Sequence, residues 1–171
     1  MELRLLPDPV LRETCTPVTV FDAALEDVVA EMLAVMYAAP GRGLAAPQVG
    51  ISERIFVMDA TWKDGDPSPM VFINPEIVSV SDELAVNNEG CLSIPDRTSR
   101  IARPARVDLR WQDLDGDVQV GSFEGFAAAC VQHERDHLDG VLCIDYKHID
   151  TQTNTHHAHN HAASAGVSTA V

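Results

Sequence analysis

The stretch CVQHERDHLDG, residues 130–140, carries two histidines four positions apart, with a glutamate directly after the first. An α-helix has about 3.6 residues per turn, so His133 and His137 share one face of a helix that contains them. Two neutral imidazoles placed in this way can bind one metal ion, and Glu134 can transfer a proton beside it. The pattern predicts a hydrolase helix around which the fold is built. The alternative is a solvated helix with incidental charges.

A metal held by two histidines needs a third protein ligand, and two cysteines can supply it. Cys143 occupies the last position of the longer pattern HExxHxxGxxH, whose glycine is also present. Cys91 lies far from the helix in the sequence, between Gly90 and Pro95, which favour a rigid non-helical segment. Free cysteines are most often small buried side chains, and this is the alternative for Cys91. The residues themselves leave both ligand sets open.

Two helices are predicted before the first glycine-rich segment. PDPVLRETC predicts a short helix that begins near Asp8 and Pro9, and FDAALEDVVAEMLAVMYAA predicts a longer helix capped by Asp22. The longer helix has apolar residues at helical spacing, namely Leu25, Val28, Val29, Met32, Val35 and Met36. We expect this face to belong to the hydrophobic core.

Strand patterns fill the region between these helices and the HExxH segment. RIFVMDA and MVFINPEIVSV predict buried strands, and alternation on both sides of Asp115 and Gly116 predicts a hairpin. The order indicates an α+β fold, in which mixed or antiparallel strands pack around a central HExxH helix with N-terminal helices. We expect one catalytic domain over residues 1–150. Residues 151–171 are polar, rich in histidine and without hydrophobic periodicity, so we expect a mostly disordered tail.

Composition restricts the partners and the compartment. The 171 residues carry a formal net charge of −14, which argues against DNA as a partner because phosphate backbones are bound by clustered Lys and Arg. The sequence contains no apolar stretch long enough to cross a bilayer and no secretory signal, so we expect no membrane partner and a cytoplasmic location. The four cysteines form no CxxC motif, and a disulfide framework is not expected.

Three motifs together resemble those of one enzyme family. GRGLAAPQVG, EGCLSIP and QHERDHLDG, in this order, resemble the motifs of peptide deformylases, which remove the formyl group from new bacterial polypeptides. The resemblance extends from about Leu3 to Tyr146. It implies a metal held by Cys91, His133 and His137, with Glu134 as the general acid and base. It therefore assigns Cys143 to the core.

The same resemblance implies further catalytic groups, a cofactor and partners. Gln48 and the backbone N–H of Leu92 would polarise the formyl oxygen, whereas without the motif Gln48 would be read as an exposed loop residue. One divalent ion is implied, Fe²⁺ in the cell, which Zn²⁺, Ni²⁺ or Co²⁺ can replace. The implied partners are N-formylmethionyl nascent peptides, bound by a monomer with transient contact to the ribosome.

Substrate-binding residues follow from spacing and from the glycines of the first motif. Gly43 would let a peptide lie close to the loop backbone, as in strand addition. Counting back from His133 along the helix gives an apolar strip of Phe126, Ala129 and Cys130, which suits a methionine side chain and equally suits the core.

Three residues depart from the family pattern near the predicted pocket. Ala129 is smaller than the common residue, and Asn87 stands where an apolar residue is frequent. Arg42 occupies a position that is often aliphatic. If the peptide runs along this loop, Arg42 predicts a preference for acidic second or third residues; the alternative is that it points to solvent.

Two other functions remain open at this point. The first is a metallopeptidase that uses His133, His137 and Cys143. The second is a catalytically weak relative that serves as a peptide-binding or metal-binding module, a possibility raised by the unusual residues Arg42 and Asn87.

Overall fold

The computed structural model describes residues 1–150 and the backbone of Thr169–Ala170. Its two α-helices are α1 (Ala23–Ala38) and α2 (Gly125–Leu138), and single 3₁₀ turns occur at Pro9–Arg12, Ala46–Val49 and Cys143–Asp145. The strands are β1 (Gly43–Ala45), β2 (Ile55–Met58), β3 (Met70–Val80), β4 (Leu84–Cys91), β5 (Ile94–Pro104), β6 (Arg106–Gln112), β7 (Val118–Glu124) and β8 (Thr169–Ala170). The predicted α+β class is confirmed.

The strands form two sheets on which the HExxH helix packs. One sheet is antiparallel and has the order β1-β2-β3-β6-β7, and the other has the order β5-β4-β8. Helix α2 contacts β1, β2, β6 and β7 of the first sheet and β5 of the second. The HExxH helix therefore lies at the centre of the fold, as predicted.

Helix α1 forms where the sequence predicts it and covers one part of the core. The Asp22 carboxylate caps it by accepting a hydrogen bond from the backbone N–H of Leu25 at 3.1 Å. Of the predicted apolar face, four residues are buried, namely Leu25, Val29, Met32 and Met36, whereas Val28 and Val35 are half-buried. Full burial of one such side chain stabilises the fold by about 1.5–3 kcal/mol. The short N-terminal helix is a single 3₁₀ turn, capped by Asp8 as predicted.

The two hairpins differ in how well the sequence predicted them. The β6–β7 hairpin turns at Gly116, whose φ of +83° favours glycine, in agreement with the prediction. The β4–β5 hairpin was not predicted. In it, Cys91 is the last residue of β4, which agrees with the predicted non-helical segment.

The predicted disordered tail, residues 151–171, lies outside the described residues apart from Thr169 and Ala170. The backbone of these two residues pairs in parallel with Glu89 and Gly90 of β4. Among the described residues, no helix combines the length and the apolar composition needed to span a bilayer.

Candidate metal centre

Helix α2 and the end of β4 bring three potential ligands together. One ligand atom each from Cys91, His133 and His137 lies within 4.8 Å of the others. The Cys91 Sγ lies 3.5 Å from Nε2 of His137, and Nε2 of His133 is buried without a hydrogen-bond partner. All three side chains are buried. This is the spacing in which one thiolate and two imidazoles can share a metal ion.

The second candidate thiol does not join this group. Cys143 is buried in a small apolar cluster with Cys91, Ile94, Ile101 and Leu142. Burial is the largest influence on its thiol and raises its pKa, so the protonated form is favoured. Within the described chain the geometry brings Cys91, and not Cys143, to the two histidines.

A buried charge network, absent from the sequence predictions, supports His133. Nδ1 of His133 lies 2.9 Å from the Glu89 carboxylate, which also accepts hydrogen bonds from Arg103 at 2.6 and 3.0 Å. Arg103 also donates a hydrogen bond to the Asp136 carboxylate at 2.9 Å. The Tyr146 hydroxyl donates to this Asp136 carboxylate at 2.6 Å. A proton fixed on Nδ1 leaves the Nε2 lone pair of His133 free for a metal.

The charges around the two imidazoles suit a bound cation. Burial lowers the pKa of His137 well below its usual value, which keeps the ring neutral as a ligand must be. Burial also opposes charge on His133, but the nearby Cys91 sulfur and the Glu89 carboxylate outweigh it and raise its pKa. The site thus attracts positive charge at His133. A divalent cation between Cys91 and the imidazoles supplies such a charge, so these residues fit a metal.

Glu134 is fully buried beside the ligands. Neither carboxylate oxygen has a hydrogen-bond partner in the described structure, and burial raises the pKa of Glu134 to about 7. The backbone of Gly43 lies against it, because a Cβ built on Gly43 would be 2.6 Å from Oε1 of Glu134 and 2.9 Å from Sγ of Cys130. A carboxylate with a pKa near neutrality can both accept and return a proton.

Gln48 is buried and rigidly held, so the exposed-loop alternative is wrong. Its Oε1 accepts a hydrogen bond from the backbone N–H of Ala45 at 2.9 Å, which turns Nε2 toward Ser93 Oγ at 3.1 Å and Cys91 Sγ at 3.6 Å. Leu92 follows Cys91 directly and is half-buried. The structure therefore brings the Gln48 amide and the Leu92 backbone to the same side of the site as the thiol.

The predicted substrate strip lies on the sheet-facing part of α2. Ala129 and Cys130 are buried, and Phe126 is partly buried against the core beneath β6 and β7. A cavity of about 440 Å³ reaches Cys91, and its lining includes Gly90, Leu92 and Pro95 but none of the strip residues. Arg42 is only 9% exposed, so the alternative that it points to solvent is wrong.

An α+β fold with a buried Cys–His–His group beside an HExxH glutamate defines a metal-dependent hydrolase. The family model described as polypeptide deformylase matches residues 1–154. The chain belongs to this family. It is 49% identical over 144 residues to a peptide deformylase of Rhizobium meliloti, covering 84% of this chain and 83% of the relative.

Other peptide deformylases are similar to this chain in sequence and in structure. A peptide deformylase of Zymomonas mobilis is 46% identical over 145 residues, with 82% of each chain covered. The crystal structure of the peptide deformylase from Thermotoga maritima superposes with a TM-score of 0.80 at 46% identity, covering 85% of this chain and 95% of that one. That of Plasmodium falciparum gives a TM-score of 0.82 at 39% identity, with 85% of each chain covered.

Proposed function

We propose that this chain removes the N-formyl group from formylmethionyl termini of nascent polypeptides and releases formate. The observation that carries the proposal is the buried group of Cys91, His133 and His137, whose ligand atoms lie within 4.8 Å of one another, with Glu134 beside it. Membership of the polypeptide deformylase family supplies the reaction and the substrate class.

Cys91, His133 and His137 are the proposed ligands of one divalent metal ion. Such an ion would polarise the formyl carbonyl and make a water molecule acidic enough to react near neutral pH. One thiolate and two imidazoles suit several first-row metals. We propose Fe²⁺ in the cell, with Zn²⁺, Ni²⁺ and Co²⁺ able to substitute.

The remaining chemistry is assigned to groups of the chain itself. Glu134 takes the proton from the attacking water and delivers it to the amine that leaves, a role supported by its pKa of about 7 and its free carboxylate oxygens. Gln48 Nε2 and the Leu92 N–H are the proposed donors to the oxyanion that forms on the formyl group. Well-placed donors of this kind each contribute about 3–4 kcal/mol to transition-state stabilisation.

The peptide is proposed to add as an extended strand along β1. This strand is at the edge of its sheet. The carbonyl of Arg42, just before β1, accepts a hydrogen bond at 2.8 Å from the backbone N–H of Asp59, just after β2. Because successive residues of a strand turn their backbone groups to opposite edges, those of Gly43 face away from β2 and toward the cleft. The methionine side chain would then follow the α2 strip of Phe126, Ala129 and Cys130.

The wider setting follows from the substrate. We propose that residues 1–150 form the catalytic domain and that the chain acts as a monomer in the cytoplasm, with transient ribosome contact and without DNA or membrane partners. Residues 151–171 are proposed to be dispensable, although Thr169 and Ala170 pair with Glu89 and Gly90, because β4 also pairs along its whole length with β5. A chain that ends at residue 150 tests this by retaining the thermal midpoint and the turnover of a small formyl peptide.

Formate release from formyl-Met-Ala-Ser by anaerobically prepared, iron-loaded protein tests the proposed function. Turnover well above a metal-free control is expected. Absence of such turnover would favour the binding-module alternative, since the fold and the ligand group would then serve binding alone. A metallopeptidase would instead cleave the peptide bonds and leave the formyl group in place.

A further inference from the structure

The Arg42 guanidinium is held between a loop carboxylate and an aromatic ring. Its Nη2 lies 3.0 Å from Oδ2 of Asp64, and its Cζ lies 4.9 Å from the centroid of the Phe126 ring. The Arg42 side chain is 10% exposed, whereas that of Asp64 is 77% exposed. Nε of Arg42 is buried and has no hydrogen-bond partner in the described chain. A buried cation is therefore paired with a carboxylate that can move away into solvent.

A second cation strengthens the positive character of this corner. Burial, and after it the neighbouring Arg42 charge, lowers the pKa of Lys63. Asp64 is the carboxylate that pairs with Arg42, and its negative charge favours a higher pKa for Lys63. Two cations thus lie near the Asp64 carboxylate, in a chain whose formal net charge is −14. A carboxylate from a bound molecule would find favourable charge here.

The distance from the metal centre matches the reach of a short peptide. Phe126 precedes His133 by seven residues in α2, which is about 10 Å along the helix. An extended peptide advances about 3.3 Å per residue. With the formyl group at the ligands and the methionine side chain on the strip that ends at Phe126, the second or third residue of the peptide comes next to Arg42, which lies over Phe126.

We infer that Arg42 is a specificity-determining residue that favours formylmethionyl peptides with Asp or Glu as the second or third residue. The inference rests on the proposed function. Asp64 acts as an internal competitor, which pairs with the guanidinium until a substrate carboxylate replaces it. Stacking on Phe126 keeps the guanidinium plane in place during the exchange.

The test compares kcat/KM for formyl-Met-Ala-Glu-Ala and its neutral isostere formyl-Met-Ala-Gln-Ala, with a second pair that carries Glu or Gln directly after methionine. We expect the Glu peptide of at least one pair to be favoured about three- to tenfold, and the preference to weaken in high salt. Arg42→Met should abolish the preference, and Asp64→Asn should increase it. Asp66→Asn, which removes a nearby carboxylate of the same loop, is the matched control and should leave the ratio unchanged.

Each remaining outcome decides the inference. Equal rates for Glu and Gln peptides in both the wild type and Asp64→Asn would overturn it, even if Arg42→Met failed to fold. If no peptide releases formate, the proposed function fails, and calorimetric binding of the same peptides then tests Arg42. Equal affinities of the Glu and Gln peptides would overturn the inference in that case.

Discussion

Nδ1 of His133 lies 2.9 Å from Oε1 of Glu89, and both side chains are almost completely buried. Glu89 is also bound by two nitrogens of Arg103, so its carboxylate cannot turn away from the ring. The pair therefore fixes both the tautomer and the orientation of one proposed ligand. Outer groups of this kind control how strongly a site binds its metal.

Glu89→Gln should weaken metal binding about 10- to 100-fold, because the amide is a poorer acceptor from Nδ1 and no longer neutralises Arg103. The measurement is the metal dissociation constant, obtained by competition with a coloured chelator. Glu76→Gln is the matched control, since Glu76 on β3 forms an exposed ion pair with Arg110 on β6. An affinity equal to that of the wild type would show that Glu89 does not support the ligand.

Glu134→Gln should retain the metal and lose at least about 100-fold in kcat, since the change keeps the size of the side chain but removes the proton acceptor. Metal content by elemental analysis and formate release are measured on the same sample. Glu31→Gln on the exposed face of α1 serves as the control. Near-normal turnover in the Glu134 variant would remove this residue from the mechanism.

Gly43→Ala should lower kcat/KM about 10- to 100-fold, because the new Cβ would meet Oε1 of Glu134 at 2.6 Å and displace it. Gly65→Ala is the control, as a Cβ there has only Thr61 O within reach, at 3.8 Å. Equal losses in the two variants would contradict a specific role for the approach of Gly43 to Glu134.

Cys91→Ala should empty the metal site, whereas Cys143→Ala should retain the metal and lose only packing, at a cost of about 1–3 kcal/mol in the free energy of unfolding. The reason is that Cys91 reaches the histidines and Cys143 lies in the apolar cluster. Metal content of the two purified variants decides between the ligand sets. Loss of metal on replacement of Cys143 alone would favour the metallopeptidase alternative.

The elements that the sequence predicted correctly are those with a strong local pattern. Helix α1 has a cap at Asp22 and apolar residues at helical spacing, and the β6–β7 hairpin has Gly116 at its turn. HExxH places its two histidines by helical geometry alone. In each case the pattern depends on residues close in the chain, so no knowledge of tertiary contacts is needed.

The missed features depend on residues distant in the chain. The β4–β5 hairpin buries polar side chains such as Glu89, Ser99 and Arg103, so its sequence lacks the apolar alternation that marks a half-buried strand. Glu89 and Arg103 are buried only because they pair with each other and with His133 and Asp136. A usable signal was present, since Glu89 stands two residues before Cys91 and shares its strand face. Arg42 likewise became interpretable only when Asp64 and Phe126 were located beside it.

Proton NMR of formyl-Met-Ala-Ser incubated with the anaerobic, iron-loaded chain tests the central claim most directly. One spectrum shows both the formyl proton and whether the peptide has been cleaved. Acetyl-Met-Ala-Ser is the matched substrate control. The account predicts that free formate and intact Met-Ala-Ser appear in equal amounts, that the acetyl peptide reacts far more slowly, and that Glu134→Gln abolishes the signal. Release of Ala-Ser with the formyl group retained, or no change in the formyl peptide, would contradict it.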